Sequence, residues 1–372
     1  MSIYIHIPYC RKACHYCNFH FSTTRHQLKA MIDAVCNEIK LQRNYVAQPL
    51  ETIYFGGGTP SILDTDDIDK IFTAIHQNFS VAADPEITIE TNPDDITVEN
   101  LKAWKLNGIN RLSMGIQSFF NDDLQWMNRA HNASQAVNAI KLAQDAGFCN
   151  ITIDLIYGTP TLPDHKWIQN LTTAISLHIP HLSCYALTVE HKTALHKFIE
   201  KGKINNISAE QQARQFELLM KAARTAGYEH YEISNFAKPG FRSRHNSNYW
   251  SGKEYLGIGP SAHSFNGSER RWNIANNALY IQSLEKNIVP FEVEILSEEN
   301  KMNEYIMTSL RTSEGFDLNY FSRRFGEQKA QTIKASAQRW MKQQWLVQRE
   351  AHFILTDAGK LMADGIAADL FF

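Results

Sequence analysis

Short β-branched runs alternate with longer amphipathic stretches from residue 1 to about 237. The runs Ile3–Ile7, Thr52–Phe55, Glu86–Glu90, Arg111–Ile116, Asn150–Ile156, His181–Leu187 and His230–Ser234 predict strands. Helical spacing fills the gaps at Gln27–Tyr45, Thr65–Asn78, Val98–Leu106, Asn121–Met127, Ser134–Ala146, His165–Leu177 and Ala209–Ala226. In the last of these, Leu218, Ala222 and Ala226 keep the four-residue spacing of one buried face. Strand–helix alternation of this kind predicts βαβ units, a parallel sheet and right-handed crossovers. About six such units predict an α/β fold built on a partial (β/α)6 TIM-like barrel.

Beyond residue 237 the pattern changes. Lys238 to Trp250 is polar and turn-rich, and Gly252 to Ser264 adds glycines and a proline, so residues 238–274 read as an irregular covering segment. From 275 to 372 the chain turns helical, with candidates at Ala275–Lys286, Ser297–Thr312, Leu318–Phe325, Gln328–Gln344 and Asp357–Asp369. A hairpin at Leu346–Arg349 and His352–Leu355 makes this a mostly helical, winged-helix-like C-terminal domain. The expected division is thus 1–237, 238–274 and 275–372.

Composition narrows the class. With 44% hydrophobic and 20% charged residues, the 372-residue chain can bury a sizeable core. Its 37 basic and 39 acidic residues leave a net charge of -2, which argues against nucleic acid as a partner. No apolar run reaches the roughly 18 residues of a membrane span. The opening residues carry no basic segment ahead of an apolar one, so a cytoplasmic location is expected.

Candidate chemistry concentrates near the start. Cys10, Cys14 and Cys17 crowd one loop directly after the first strand, whereas Cys36, Cys149 and Cys184 stand alone and read as buried apolar residues. Zinc would want a fourth protein ligand, which His15 or His20 could supply. An iron–sulfur cubane normally takes four cysteines, so three would leave one iron open to an exogenous ligand. Two strands also run into Gly-Thr-Pro, at Gly58-Thr59-Pro60 and Gly158-Thr159-Pro160. Glycines there let backbone approach a ligand, at the barrel end where sites are built.

The Cys-x3-Cys-x2-Cys spacing, with Tyr16 before the last cysteine, resembles the signature of the radical S-adenosylmethionine (SAM) enzymes. Further stretches appear in the order of that superfamily's coproporphyrinogen-oxidase-like branch: Tyr4–Cys10, Gly56–Ser61, Glu90–Pro93, Gly115–Phe119, Asn128–His131 and Asp154–Gly158. The resemblance implies a [4Fe-4S] cluster on Cys10, Cys14 and Cys17, with SAM chelating the open iron. It places SAM contacts at Tyr4, Tyr16, Gly57, Gly58, Thr59, Glu90, Gln117, Arg129 and Asp154. Glycine backbone would lie against the methionyl group, the carboxylates would accept ribose hydroxyls or the ammonium, and the Arg129 fork would meet the SAM carboxylate.

Within the branch two functions compete. One is oxygen-independent coproporphyrinogen III oxidation, a radical decarboxylation in porphyrin biosynthesis. The other is a heme-chaperone type that binds heme and hands it to acceptor proteins. The decarboxylase pattern carries a fourth cysteine where this chain has Phe19, and an extension before the first strand, which here begins at about residue 3. His245-Asn-Ser-Asn-Tyr-Trp250 fits the chaperone's His-Asn-x-x-Tyr-Trp motif. There His245 would be an axial heme ligand, the aromatics would pack on the porphyrin, and Arg242 and Arg244 would pair with propionates. A polar-loop histidine with Tyr249 and Trp250 anchoring the loop is the plainer alternative. The expected partners are therefore heme, heme acceptors such as respiratory cytochromes, and a reductant for the cluster; a homo-oligomer is left open. A tRNA-modifying enzyme is disfavoured by the near-neutral charge.

Overall fold

The computed structural model describes residues 1–45 and 47–372. Strands β1 (Ser2–Ile7), β2 (Leu50–Gly57), β3 (Val81–Thr91), β4 (Arg111–Gln117), β5 (Asn150–Tyr157) and β6 (His181–Ala186) pair in parallel in chain order. They alternate with α1 (Leu28–Leu41), α2 (Thr65–Asn78), α3 (Val98–Leu106), α4 (Asn121–Trp126), α5 (Ala133–Asp145) and α6 (Asp164–Ser176). Side-chain caps fix several helix starts: Asp64 accepts from Asp67 N, Thr97 from Asn100 N, and Asn132 forms a capping box with Gln135.

The strands' period of two sorts chemistry by face. Ile3, Ile5, Ile53, Phe55, Ile89, Met114 and Ile153 join the helices in one buried core. Registry gathers the alternate positions on the other face, where Tyr4 lies beside Tyr54, Glu90 beside Ser113, and Asp154 beside Ser183. That inner face is polar, so the interior is suited to hold a polar ligand more than to act as a packed core.

Next come α7 (Ala194–Glu200), which the sequence did not predict, and α8 (Ala209–Thr225). The buried face of α8 is Phe216, Leu219, Met220 and Ala223; Leu218, Ala222 and Ala226 are only partly buried, because the larger apolar residues centre the contact one position away. The expected strand His230–Ser234 is instead a tight hairpin, β7 (Glu229–Glu232) with β8 (Asn235–Ala237), whose second arm pairs antiparallel to β6.

The segment expected to be irregular is structured. It forms α9 (Arg244–Trp250), β9 (Tyr255–Ile258), β10 (His263–Phe265) and β11 (Glu269–Asn273), followed by α10 (Asn277–Glu285) and β12 (Phe291–Ile295). β9 pairs parallel to β1, and the twelve-stranded sheet stays open, ending at β12 and β7. Glycines that read as turn signals serve close packing here. A Cβ on Gly257 would sit 2.1 Å from the His263 carbonyl oxygen.

Three helices, α11 (Glu298–Leu310), α12 (Leu318–Phe325) and α13 (Glu327–Lys342), pack with a small sheet of β13 (Phe316–Asp317), β14 (Leu346–Arg349) and β15 (His352–Leu355). This region has its own core, with Met302, Ile306, Phe321, Ile333 and Phe353. The final expected helix is divided into α14 (Asp357–Lys360) and α15 (Ala363–Asp369). Among the solitary cysteines only Cys184 is buried. Cys36 is half-buried on α1, and Cys149 is exposed in the turn entering β5, where the chain crosses the surface.

Candidate cofactor site

The three-cysteine loop leaves the C-terminal end of β1 and returns on itself. Cys10 N donates to Ser22 O at 3.0 Å and Ser22 N to Pro8 O at 2.9 Å, closing its base. Its far side is tied to the α4 end: His15 N donates to Met127 O, Asn128 Nδ2 to Ala13 O, and His15 Nδ1 hydrogen-bonds Trp126 O at 2.8 Å. Arg11 pairs with the buried Asp95 carboxylate, which also accepts from Ser61. The loop is thereby held from β2, β3 and α4.

All three thiols are free and half-buried. Thr59 Oγ1 donates to Cys10 Sγ at 3.5 Å and Arg129 Nη1 to Cys14 Sγ at 3.2 Å. Burial raises the Cys10 thiol, with Thr59 opposing it and the Cys14 charge adding to it. Burial pushes Cys17 up to about 11, against a hydrogen bond from the Phe19 amide and with the charges of Cys14 and Cys10 adding. Three mutually opposed thiolates beside one guanidinium fit a polynuclear metal cluster, whose positive charge would hold them deprotonated. No group of three or more His, Cys, Asp or Glu side chains among the described residues is arranged around a single ion. His15 and His20 each have one ring nitrogen engaged. His15 is held by Trp126, and His20 Nε2 bonds Asn277 Oδ1 at 2.7 Å.

Around the thiols the structure brings together most of the residues the sequence singled out. Arg129 is the hub: Nη2 donates to Asn92 Oδ1 at 2.6 Å and Gly115 O at 2.8 Å, while Nε is buried without a partner. Its fork is thus spent on Cys14 and the β3–β4 ends, leaving Nε for a further acceptor. Asn92 in turn donates to Thr59 Oγ1 at 3.3 Å. Gln117 ends β4 at φ 66°, a conformation uncommon for a non-glycine residue. Tyr16 packs with Leu124, Ile156 and Leu187 at the loop's inner side.

Glu90 accepts from Tyr54 OH at 2.9 Å and Gly57 N at 3.1 Å. Burial pushes its pKa up to about 8, helped by the charge of Asp154. Asp154, in the middle of β5, rises to about 7 by burial, opposed by Arg111. Two carboxylates held largely neutral await a positive or hydrogen-bonding ligand. The glycines have a second reason besides ligand approach. Gly57 has φ 107°, and a Cβ there would meet the His6 ring at 2.6 Å; one on Gly58 would meet Tyr9 O at 2.5 Å. Tyr4 stacks on Tyr54 with ring centroids 6.0 Å apart and shares a hydrogen bond with His6 Nδ1.

His245 lies elsewhere than expected. It is 1% exposed on α9, stacked on Tyr54 at 4.7 Å, with Nδ1 bonded to Thr52 Oγ1 at 2.7 Å and Nε2 to Tyr249 OH at 3.0 Å. Both ring nitrogens are occupied, so this conformation offers no lone pair to a heme iron. Burial, and then Arg111, lowers its pKa to about 3, so the ring is neutral. The motif caps and anchors: Arg244 N and His245 N both donate to the Glu86 carboxylate at 2.9 Å. Nor are the arginines free for propionates. Arg242 pairs with Glu229 and Glu314, and Arg244 with Asp84, while Trp250 lies under the Arg311 guanidinium. Sequence reasoning missed Asn92, Tyr54 and Asp95; strand alternation from Thr52 would have placed Tyr54 on the inner face.

A partial (β/α) barrel with a three-cysteine loop after its first strand is the architecture of a radical SAM core. Residues 4–174 match the family model for the radical SAM superfamily, and residues 296–362 that for the HemN C-terminal domain. Heme chaperone HemW of Bacillus subtilis is 32% identical, over 98% of this chain and 97% of its own. The Synechocystis protein of the same name is 34% identical, over 84% of this chain and 78% of its own. The solved structure of coproporphyrinogen III oxidase (HemN) from Escherichia coli aligns over 100% of this chain and 89% of that one, with TM-score 0.86 and 24% identity, a likeness of fold. The chain belongs to the HemW family of radical SAM proteins.

Proposed function

We propose that this protein is a heme chaperone: it carries a [4Fe-4S] cluster on Cys10, Cys14 and Cys17, binds SAM beside it, and transfers heme to acceptor proteins. The observation that carries the reading is the likeness to HemW over nearly the full length of both chains. Phe19 supports it, standing where the decarboxylase pattern has a fourth cysteine. The cluster, when bound, supplies one iron open to the SAM amino and carboxylate groups and a store for a single electron.

The chain's own residues do the rest. Arg129 and Thr59 stabilise thiolates, and Arg129 Nε is available to the SAM carboxylate. Glu90 and Asp154, with Tyr4, Tyr16, Gly57, Gly58 and Gln117 around them, would receive the cationic and hydroxyl parts of SAM. The test is a hemin titration of the reconstituted chain followed by mixing with an apo heme protein. A saturable Soret shift and movement of the heme to the apo protein are expected. No saturable shift, together with anaerobic conversion of coproporphyrinogen III to protoporphyrinogen IX, would overturn the proposal in favour of the oxidase.

A further inference from the structure

A cavity of about 420 Å³ opens where the barrel meets the C-terminal region, and it shares no lining residue with the cofactor site. Small-molecule sites span roughly 300–1,000 Å³, so the space suits a compact ligand. Both cores build its walls. The β7–β8 turn contributes Glu232 and Ile233, and Ile233 packs against both cores. Opposite lies the β14–β15 hairpin, whose period of two divides its residues. Leu346 and Phe353 belong to the C-terminal core, whereas Val347, its cross-strand partner Ile354, and Arg349 share the other face and line the cavity. Backbone ties fix the walls: Ile233 N donates to Arg311 O at 3.1 Å, and Ser313 N to Tyr231 O at 3.0 Å.

The acids in this cavity are largely committed and the cations are not. Glu232 Oε1 accepts from Ser234 N at 2.6 Å and Asn235 Nδ2 at 3.1 Å. Burial pushes that carboxyl up, with those two donors and then Arg311 opposing. Asp357 pairs with Arg224 and, at 3.5 Å, with Lys360, which also donates to His230 Nδ1 at 3.0 Å. Arg349, by contrast, is exposed and pairs with no carboxylate among the described residues. Arg311 is held in place by Trp250 beneath its guanidinium and by Nη1 donating to Asp364 Oδ1 at 2.7 Å. Its Nε is nevertheless buried with no hydrogen-bond partner among the described residues. A buried donor without an acceptor is costly, and a guanidinium already oriented loses little freedom on gaining one. We propose that this cavity binds a small organic carboxylate with an apolar body. The carboxylate is received by Arg311 Nε and the Arg349 guanidinium, and the body lies along Ile233, Val347 and Ile354. Because its walls come from both cores, an occupant stabilises their junction. The inference does not rest on the cluster or on heme.

The experiment titrates 1-naphthoate into the full-length chain by calorimetry and follows the melting temperature as the probe is added. Saturable binding and a melting temperature that climbs with probe concentration are expected. The neutral 1-naphthamide, equal in shape but without the charge, should bind at least roughly tenfold more weakly. Two variants place the probe. Arg349→Gln changes an exposed position and should melt like wild type without ligand, yet bind naphthoate roughly tenfold more weakly. Arg311→Lys keeps a cation beside Asp364 and Trp250 but removes the Nε donor, and should weaken binding by a similar factor. Unchanged affinity in both variants overturns the proposal, as does equal binding of the naphthamide. Displacement of naphthoate by an equal concentration of inorganic phosphate also overturns it, since the site would then select a compact anion and make no use of its apolar wall.

Discussion

Glu90 and Asp154 face one another's charge in a buried space that also holds Tyr54, so their protonation responds to what else enters. With both pKa values raised, the stability they contribute is present below the ordinary carboxylate range and is lost as pH rises through about 7 and about 8. A cationic ligand favours the ionised forms, so SAM affinity should increase across that same window. Calorimetric titration of wild type and Glu90→Gln checks this, and the variant should show a much flatter pH dependence. Identical profiles would remove Glu90 from the site. Arg129→Ala should weaken SAM binding by about 2 kcal/mol, roughly 30-fold, the scale of one charge-assisted contact. His245→Ala should lower stability by about 2–3 kcal/mol in chemical denaturation, from two lost hydrogen bonds and a stacked ring. A melting curve like wild type's with the Soret shift gone would instead restore His245 as a heme ligand.

At the scale of elements, legibility followed how local the forces are. α2 and α3 start at the Asp64 and Thr97 caps and run as far as the apolar period carries them. The strands β9 to β11 escaped because each is short and set among glycines, and β9, on which the others build, pairs with β1, far away in sequence. One buried carboxylate ties this added region to the barrel helices. Glu38 of α1 accepts from Gly259 N at 2.8 Å, Asn273 Nδ2 at 2.7 Å and Tyr280 OH at 2.5 Å. Burial pushes it up to about 7, with all three donors pulling it back. Glu38→Ala strands those donors and should cost about 3 kcal/mol or more in thermal or urea unfolding. A loss under half that size would mean that water replaces the carboxylate.

Over the whole molecule, two regions have separate cores, one beneath the barrel helices and one among α11 to α15. Two of the ion pairs that join residues of the two, Arg224 with Asp357 and Arg242 with Glu314, are largely exposed and contribute little to stability, whereas Arg270 with Glu304 at 2.8 Å is half-buried. The cysteine loop was readable because its ligands fall within one short segment. The Arg129–Asn92–Thr59 bridge was not, since its members come from three elements that only the folded barrel brings together. His245 is the opposite case: the sequence motif reads as heme chemistry, while in the fold Nδ1 fastens α9 to Thr52 of β2 and Nε2 bonds Tyr249 within α9.

The most direct measurement is oxygen-free reconstitution followed by iron and sulfide analysis and electron paramagnetic resonance of the reduced chain, with and without SAM. A [4Fe-4S] site on this loop gives the metal and sulfide content of a cubane, a signal that changes when SAM is added, and loss of both on replacing Cys10, Cys14 or Cys17 by Ala while the fold remains. A colourless chain carrying one zinc ion, untouched by those replacements, would contradict it.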